Sequence, residues 1–198
     1  HIGLVNGLYA TNMGTGGITI IQIFKTYSDV KLSLMITGQQ GDVMKESIKC
    51  AKTIAWNLLP HSIKKNTIKD LEKQVWGLHV HCPEASVPKD GPSAGAAITL
   101  ALVSLFTNIP VRNDVALTGE IDLNGDILVI GGLEYKIEGG KKAGVTTICY
   151  PEGNAQDIEI IKNTNPEVLE NINLIKVKNI FQVLEICLEP HELKFTRF

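Results

Sequence analysis

The sequence predicts a mixed α/β domain of the α+β kind. Three observations predict it. Residues Ile18 to Ile36 alternate apolar and polar side chains, the period of half-buried strands. The run Ala94 to Thr107 is apolar on every side, as in a helix at the centre of a core. Short strands then alternate with helical segments towards the end of the chain. At 198 residues the chain fits one domain, 1–198, and is long enough to bury a substantial core.

Taken in order, Ile18 to Ile36 reads as a two-stranded hairpin turning at Ser28-Asp29. Gly41-Asp42 starts a helix whose apolar positions, Val43, Met44, Ile48, Ala51, Ile54, Ala55 and Leu58, recur with helical spacing until Pro60 stops it. His61 to Lys73 is polar and lysine-rich, a surface connection with a short helix. Leu78, Val80 and Cys82 alternate with His79 and His81, giving a strand with two different faces. Pro83 to Pro92 is an irregular loop. Val115 to Leu117 is a strand, and Ile121 to Ile130 a hairpin turning at Asn124-Gly125, the strongest short hairpin signal. Gly131-Gly132 precedes a helix over Leu133 to Lys142. Thr146 to Tyr150 and Leu174 to Val177 are strands, and Ile158 to Ile161 and Phe181 to Leu188 helices.

Composition narrows the function. Apolar residues make up 44% and charged residues 20%, ordinary for a soluble globular protein. Nineteen Lys and Arg against 21 Asp and Glu leave a formal charge of −2, so attraction to nucleic acid or anionic membranes is not indicated. No apolar run approaches the ~18 residues of a membrane-spanning helix. Cys50, Cys82, Cys149 and Cys187 form no Cys-x-x-Cys pair, which argues against a zinc knuckle or redox motif. Their apolar neighbours suit buried free thiols in a reducing compartment, although spacing alone leaves a disulfide open. The chain opens at His1-Ile2-Gly3 with no signal-like start, which suggests an excised or processed domain.

The most informative stretch is Pro88-Lys89-Asp90-Gly91-Pro92-Ser93-Ala94-Gly95. It sets a serine hydroxyl at the start of the buried helix, where unpaired backbone N–H groups and the helix dipole favour a developing negative charge. That suits a nucleophile, because the attacked carbonyl needs N–H donors for its oxyanion. Read locally, the same serine is a helix N-cap.

The wider pattern favours the nucleophile. Gly3 to Leu8, Thr37 to Ser47, Leu78-His79-Val80-His81-Cys82-Pro83-Glu84, Pro88 to Gly95, Leu117-Thr118-Gly119-Glu120 and Ile130 to Lys136 occur in an order and spacing that resembles the proteolytic domain of Lon proteases. The resemblance runs past Ala143-Gly144-Val145 to the closing helix and covers almost the whole chain. The Pro-Lys-Asp-Gly-Pro-Ser-Ala-Gly wording is similar to the soluble, ring-forming type. The implied fold resembles that of the second domain of a small-subunit ribosomal protein.

The resemblance implies a serine–lysine dyad of Ser93 and Lys136, which lies 43 residues later. A lysine that accepts a serine proton must be neutral. Free lysine titrates near ~10.4, and burial can lower that by up to ~3–5 units. Ile130, Leu133 and Ile137 could supply the apolar surroundings, whereas on local sequence alone Lys136 reads as a solvated helix lysine. Thr118 matches the family position whose hydroxyl lies near the dyad amine; locally it reads as a strand-end turn residue. Gly91 to Ser93, with Pro92 between, are the implied oxyanion wall. Asp90 is either a turn carboxylate or a resting partner of Lys136, and direct pairing would favour the charged amine and oppose base function.

His79 and His81 share a strand face, which is metal-ligand geometry, but no third ligand is evident. A structural or substrate-groove role is the expectation, with no metal. Glu84 and Glu120 could line the site or make subunit contacts. Family members often carry a glutamate on the second strand of the first hairpin. Gln22 is the nearest match here, and Thr11 to Gly17 reads as lengthened.

No G-x-x-x-x-G-K-[ST] phosphate loop occurs; Gly139-Gly140-Lys141-Lys142 lacks its spacing. No cofactor is therefore expected in this domain. ATP and magnesium would belong to the motor domain that Lon proteins carry upstream. The resemblance further implies polypeptide substrates and a hexameric ring. Gly41 to Ser47 and Leu78 to Pro83 look similar to the mitochondrial-matrix version, and a bacterial or virus-encoded version would read much alike. The competing expectation is a catalytically silent, ring-forming Lon-like scaffold. Retention of both Ser93 and Lys136 argues against it.

Overall fold

Strands β1 (Leu4–Ala10) and β2 (Gly16–Tyr27) open the chain as an antiparallel hairpin, with Leu4 opposite Gln22 and Ala10 opposite Gly16. The Thr11 hydroxyl closes its turn, accepting the Met13 and Thr15 amides at 3.3 Å each. The structure is a computed structural model that describes every residue except Ala85 and Pro88. Pro88 of the serine motif, and Ala85 of the expected 83–92 loop, thus lie outside the described residues.

The hairpin expected over Ile18 to Ile36 does not form. Strand β3 (Leu34–Thr37) and β2 are separated by β4 (Trp76–His81), which pairs antiparallel with β2 and parallel with β3. The connection itself is drawn onto β4: the Leu32 amide donates to the Trp76 carbonyl at 2.9 Å, and the Leu78 amide to Ser33 at 2.7 Å. Alternation marks a strand and its buried face, but it does not name the neighbour.

β5 (Val115–Leu117), β8 (Thr147–Pro151) and β9 (Asn173–Val177) extend the sheet in parallel, giving seven strands in the order β3-β4-β2-β1-β5-β8-β9. The hairpin expected around Asn124-Gly125 is present as β6 (Glu120–Ile121) and β7 (Ile127–Leu128). Asp122 caps its turn by accepting the Asn124 and Asp126 amides.

Helices cover both faces. On one side lie α1 (Asp42–Leu58), α3 (Gly95–Thr107) and α6 (Ile180–Cys187), which share a core with Val5, Ile21, Ile23, Val115, Leu117 and Cys149. On the other lie α4 (Leu133–Lys142) and α5 (Ala155–Thr164), packed with Leu8, Ala116, Ile148 and Tyr150. Adjacent residues of β5 and β8, and Val5 and Leu8 of β1 three apart, thus enter opposite cores, as the period of two requires. In α3 every residue from Gly95 to Ser104 is buried, which explains its apolar circumference.

The polar 61–73 stretch forms a full helix, α2 (His61–Lys73), that buries only Thr67 and Leu71. Likewise α5 is longer than its expected Ile158–Ile161 segment, with Ile161 its one buried residue. Sparse burial leaves little periodicity to read. α4 sits unusually close to β2. A Cβ on Gly139 would lie 2.3 Å from the Gly16 carbonyl carbon and the Gly17 nitrogen. Only hydrogen fits there.

Candidate active site

The site gathers at the carboxyl end of β5. There the chain leaves the sheet as Thr118-Gly119, with α3 beginning on one side and α4 on the other. Open ends of parallel strands are where α/β sheets present ligand crevices. The Gly119 amide donates to the Ser93 carbonyl at 2.8 Å, and the Ala96 amide donates to the Gly119 carbonyl at 3.0 Å. These two bonds fix the half-buried Ser93 and the first turn of α3 to the strand end. A Cβ on Gly95 would meet Ile121 at 3.0 Å, so the small residue after Ala94 lets the turn lie against β6.

Lys136 reaches the same place from the opposite face. Gly132 starts α4 in a left-handed conformation (φ +68°), where glycine carries no steric cost, and its carbonyl accepts the Lys136 amide at 3.0 Å. Lys136 is 4% exposed, and its Nζ donates to Thr118 Oγ1 at 3.1 Å; Thr118 is itself 1% exposed. No carboxylate among the described residues pairs with the amine. Burial alone, penalising the ammonium, pulls its pKa down to about 8. Thr118 holds the lysine, and the next residue, Gly119, holds the serine.

The segment before Ser93 is anchored elsewhere. Asp90 accepts the Met44 amide at 3.0 Å at the start of α1. The Met44, Gly91 and Val43 amides together hold its carboxyl below the usual carboxylate range. A Cβ on Gly41 would lie 2.3 Å from Asp90 Cγ, so the absent side chain at Gly41 makes room for this cap. Asp90 therefore sits on a helix N-terminus in this conformation rather than on Lys136. Gly91 (φ +110°) turns the chain, and its amide faces Asp90. Pro92 has no N–H. Of the 91–93 wall, the Ser93 amide is the donor not engaged by Asp90.

The model for the Lon protease C-terminal proteolytic domain matches residues 1–190 of the chain. The chain belongs to that family. It is 46% identical over 195 residues to a Lon protease homolog of Acanthamoeba polyphaga mimivirus, covering 96% of this chain and 18% of that protein. It is 39% identical over 194 residues to a Lon protease of Elusimicrobium minutum, covering 98% of this chain and 22% of that protein. A Lon protease of Fervidobacterium nodosum is 40% identical over 197 residues, with coverage of 99% and 23%. The chain thus spans about a fifth of the length of these relatives.

The other residues of the Lon-type pattern make their hydrogen bonds and strand pairings without the Ser93 side chain. His79 and His81 lie on the β4 face, both on the Thr37 hydroxyl, His79 through Nε2 at 2.8 Å and His81 through Nδ1 at 2.6 Å. Among the described residues no group of three His, Cys, Asp or Glu could hold a metal ion. Gln22 lies opposite His81 and Leu4 in the sheet. Glu120 pairs in β6 with Leu128, and Glu84 is exposed with a left-handed backbone (φ +61°). Among the described residues no helix is long and apolar enough to cross a membrane.

Sequence reasoning did not single out Lys89 or Gly139. Both stand within quoted motifs or a recognised helix, but Gly139 meets the distant Gly16 and Gly17 backbone and Lys89 ties its own loop to the distant Gly38, for which sequence carries no local signal.

Proposed function

We propose that the chain is the serine endopeptidase domain of a Lon protease, with Ser93 as nucleophile and Lys136 as general base. The observation that carries this reading is a lysine 4% exposed, free of any acid partner among the described residues, and tied through Thr118-Gly119 to the serine turn. Neutral Lys136 takes the Ser93 Oγ proton as Oγ bonds to the peptide carbonyl carbon. The Ser93 amide at the head of α3 stabilises the oxyanion. The protonated amine then delivers its proton to the departing peptide nitrogen as the C–N bond breaks, leaving an acyl-serine. Water, deprotonated by the same amine, attacks the ester and releases Ser93. Thr118 keeps the amine aimed. His79 and His81 lie along the neighbouring sheet face, a place for a substrate groove wall.

The substrates under this reading are unfolded polypeptides. Assembly into a hexameric ring, residence in a reducing compartment such as the mitochondrial matrix or a bacterial or infected-cell cytoplasm, and coupling to ATP and magnesium are proposals on the same footing. With no phosphate loop in the sequence, no step here runs through nucleotide. The test is cleavage of a fluorogenic unstructured peptide by the wild type, Ser93→Ala and Lys136→Ala. Wild-type turnover that both variants abolish, with their unfolding transitions intact, is expected. A silent wild type would favour the scaffold reading. A variant with wild-type turnover would remove the dyad.

A further inference from the structure

We propose that Lys89 is a positioning residue for the Ser93 reaction, a cation that gathers backbone carbonyls and so sets the approach of the chain to the nucleophile. The proposal rests on the Ser93 reading above. Lys89 Nζ donates to the carbonyls of Gly38 at 3.0 Å, Glu84 at 2.8 Å and Val87 at 2.8 Å. An ammonium has three N–H donors, and all three are used on backbone. The lysine is therefore committed to the loop and is not a second base.

Its own backbone is fastened too. The Lys89 amide donates to Gln39 at 2.9 Å, and its carbonyl accepts the Gly41 amide at 2.7 Å, a parallel bridge across from Gln40. One residue thus joins the turn after β3 to both sides of the stretch that leads to Ser93. Asp90 follows at once on the α1 amides, and Ser93 comes three residues later.

The electrostatics give the arrangement a direction. Three carbonyl oxygens converge within 3.0 Å of one point. Without a cation there, the negative ends of their dipoles face one another. A methionine of similar length fills the space but leaves the oxygens unmatched. A planar guanidinium cannot cap three oxygens that converge on a single atom. The core does not depend on this cage, because α3 and its neighbours are buried independently of it. Losing the cage releases the carbonyls of Gly38, Glu84 and Val87 from their common point while Ser93 stays bonded to Gly119, so the effect falls on chemistry. A displacement of about 1 Å at reacting groups costs about a hundredfold in rate.

The experiment measures kcat and KM for an unstructured fluorogenic peptide with the wild type, Lys89→Met, Lys89→Arg and Lys89→Ala, the last with and without added propylammonium. Thermal unfolding is followed in parallel. We expect kcat to fall about ten- to a hundredfold in all three variants, KM to change less than about threefold, the unfolding midpoint to hold, and propylammonium to restore part of the lost kcat in Lys89→Ala. Wild-type kcat in Lys89→Met overturns the proposal. So does a loss of kcat that accompanies a lowered unfolding midpoint and that propylammonium does not recover. A wild type that fails to cleave, or a Ser93→Ala protein that cleaves normally, sinks the Ser93 reading instead, so the two failures are distinct.

Discussion

Lys136 and Thr118 meet through a 3.1 Å hydrogen bond in which a nearly inaccessible amine donates to a nearly inaccessible hydroxyl. The hydroxyl is the amine's only hydrogen-bond acceptor among the described residues. It steadies the amine without fixing its charge as a carboxylate would.

The first consequence is a pH profile. With its pKa near 8, roughly one Lys136 in ten is neutral at pH 7. For the wild type, kcat/KM should rise with pH and reach half its plateau near 8, since this ratio reports the free enzyme. Thr118→Val removes an acceptor that favours the ammonium, so its half-maximal pH should fall below that of the wild type while the plateau drops about tenfold. A wild-type profile governed by a group near ~10.4 would contradict the assignment of the base.

Burial of the same amine costs stability, and the sign can be worked out. The unfolded lysine keeps its proton to ~10.4, whereas the folded one releases it near 8. Between these values the unfolded chain binds more protons, so wild-type stability climbs as pH rises. Below 8 the penalty is complete. Lys136→Met should therefore unfold at higher denaturant than the wild type at pH 7, by about 1–3 kcal/mol, and lose that advantage near pH 10.

Gly139→Ala tests the seat of α4. Its methyl would meet Gly16 and Gly17 backbone at 2.3 Å, atoms that cannot rotate aside. We expect a loss of about 2–3 kcal/mol in denaturant unfolding. The fall in kcat should exceed what the unfolded fraction explains, because the helix carries Lys136. Gly131→Ala, which meets nothing within 4 Å, should stay within about 0.5 kcal/mol of the wild type.

Gly41 and Asp90 should behave as one unit. Gly41 has an ordinary extended backbone (φ −75°, ψ 179°), so alanine there acts only by evicting the Asp90 carboxylate. Gly41→Ala and Asp90→Ala should lower kcat to the same degree, and the double variant should be no worse than either. Additive losses in that cycle would show that the two act separately.

The thiols offer a check on the core. Burial pushes the Cys82 thiol up to about 11. Cys187 is raised as well, through its hydrogen bond with Cys149, whose sulfur is 3.9 Å away, and through burial. Cys82, Cys149 and Cys187 are buried and Cys50 is half-buried, all unbridged. A thiol reagent at pH 8 should modify Cys50 first and the others only on unfolding, when all four react.

The sequence carried the parts of this molecule that depend on local chemistry. The apolar circumference around Ala94 to Thr107 marked α3, Asn124-Gly125 marked a hairpin, and the helical spacing from Met44 to Leu58 marked α1. Neighbour choice was not legible. Nothing in Ile18 to Ile36 says that β4, some forty residues on, slides between its two strands. At the site, Ser93, Lys136 and Thr118 came from a motif pattern, and the structure brings the latter two into contact. Asp90 had two readings in sequence, and only the fold reveals the helix terminus that takes it. Gly139 meets backbone far along the chain, and Lys89 joins its own loop to the distant Gly38, which no spacing encodes.

The burial of α3 on all sides has a consequence for variation around the serine. A helix buried from Gly95 to Ser104 has no surface there on which a substitution is cheap, so the Ser93 hydroxyl cannot be re-aimed from behind without disturbing the interior. Under the proposed Ser93 reading, adaptation to new peptides, by drift or by design, is thereby channelled into the polar approach ahead of Ser93, while the anvil behind it stays the same.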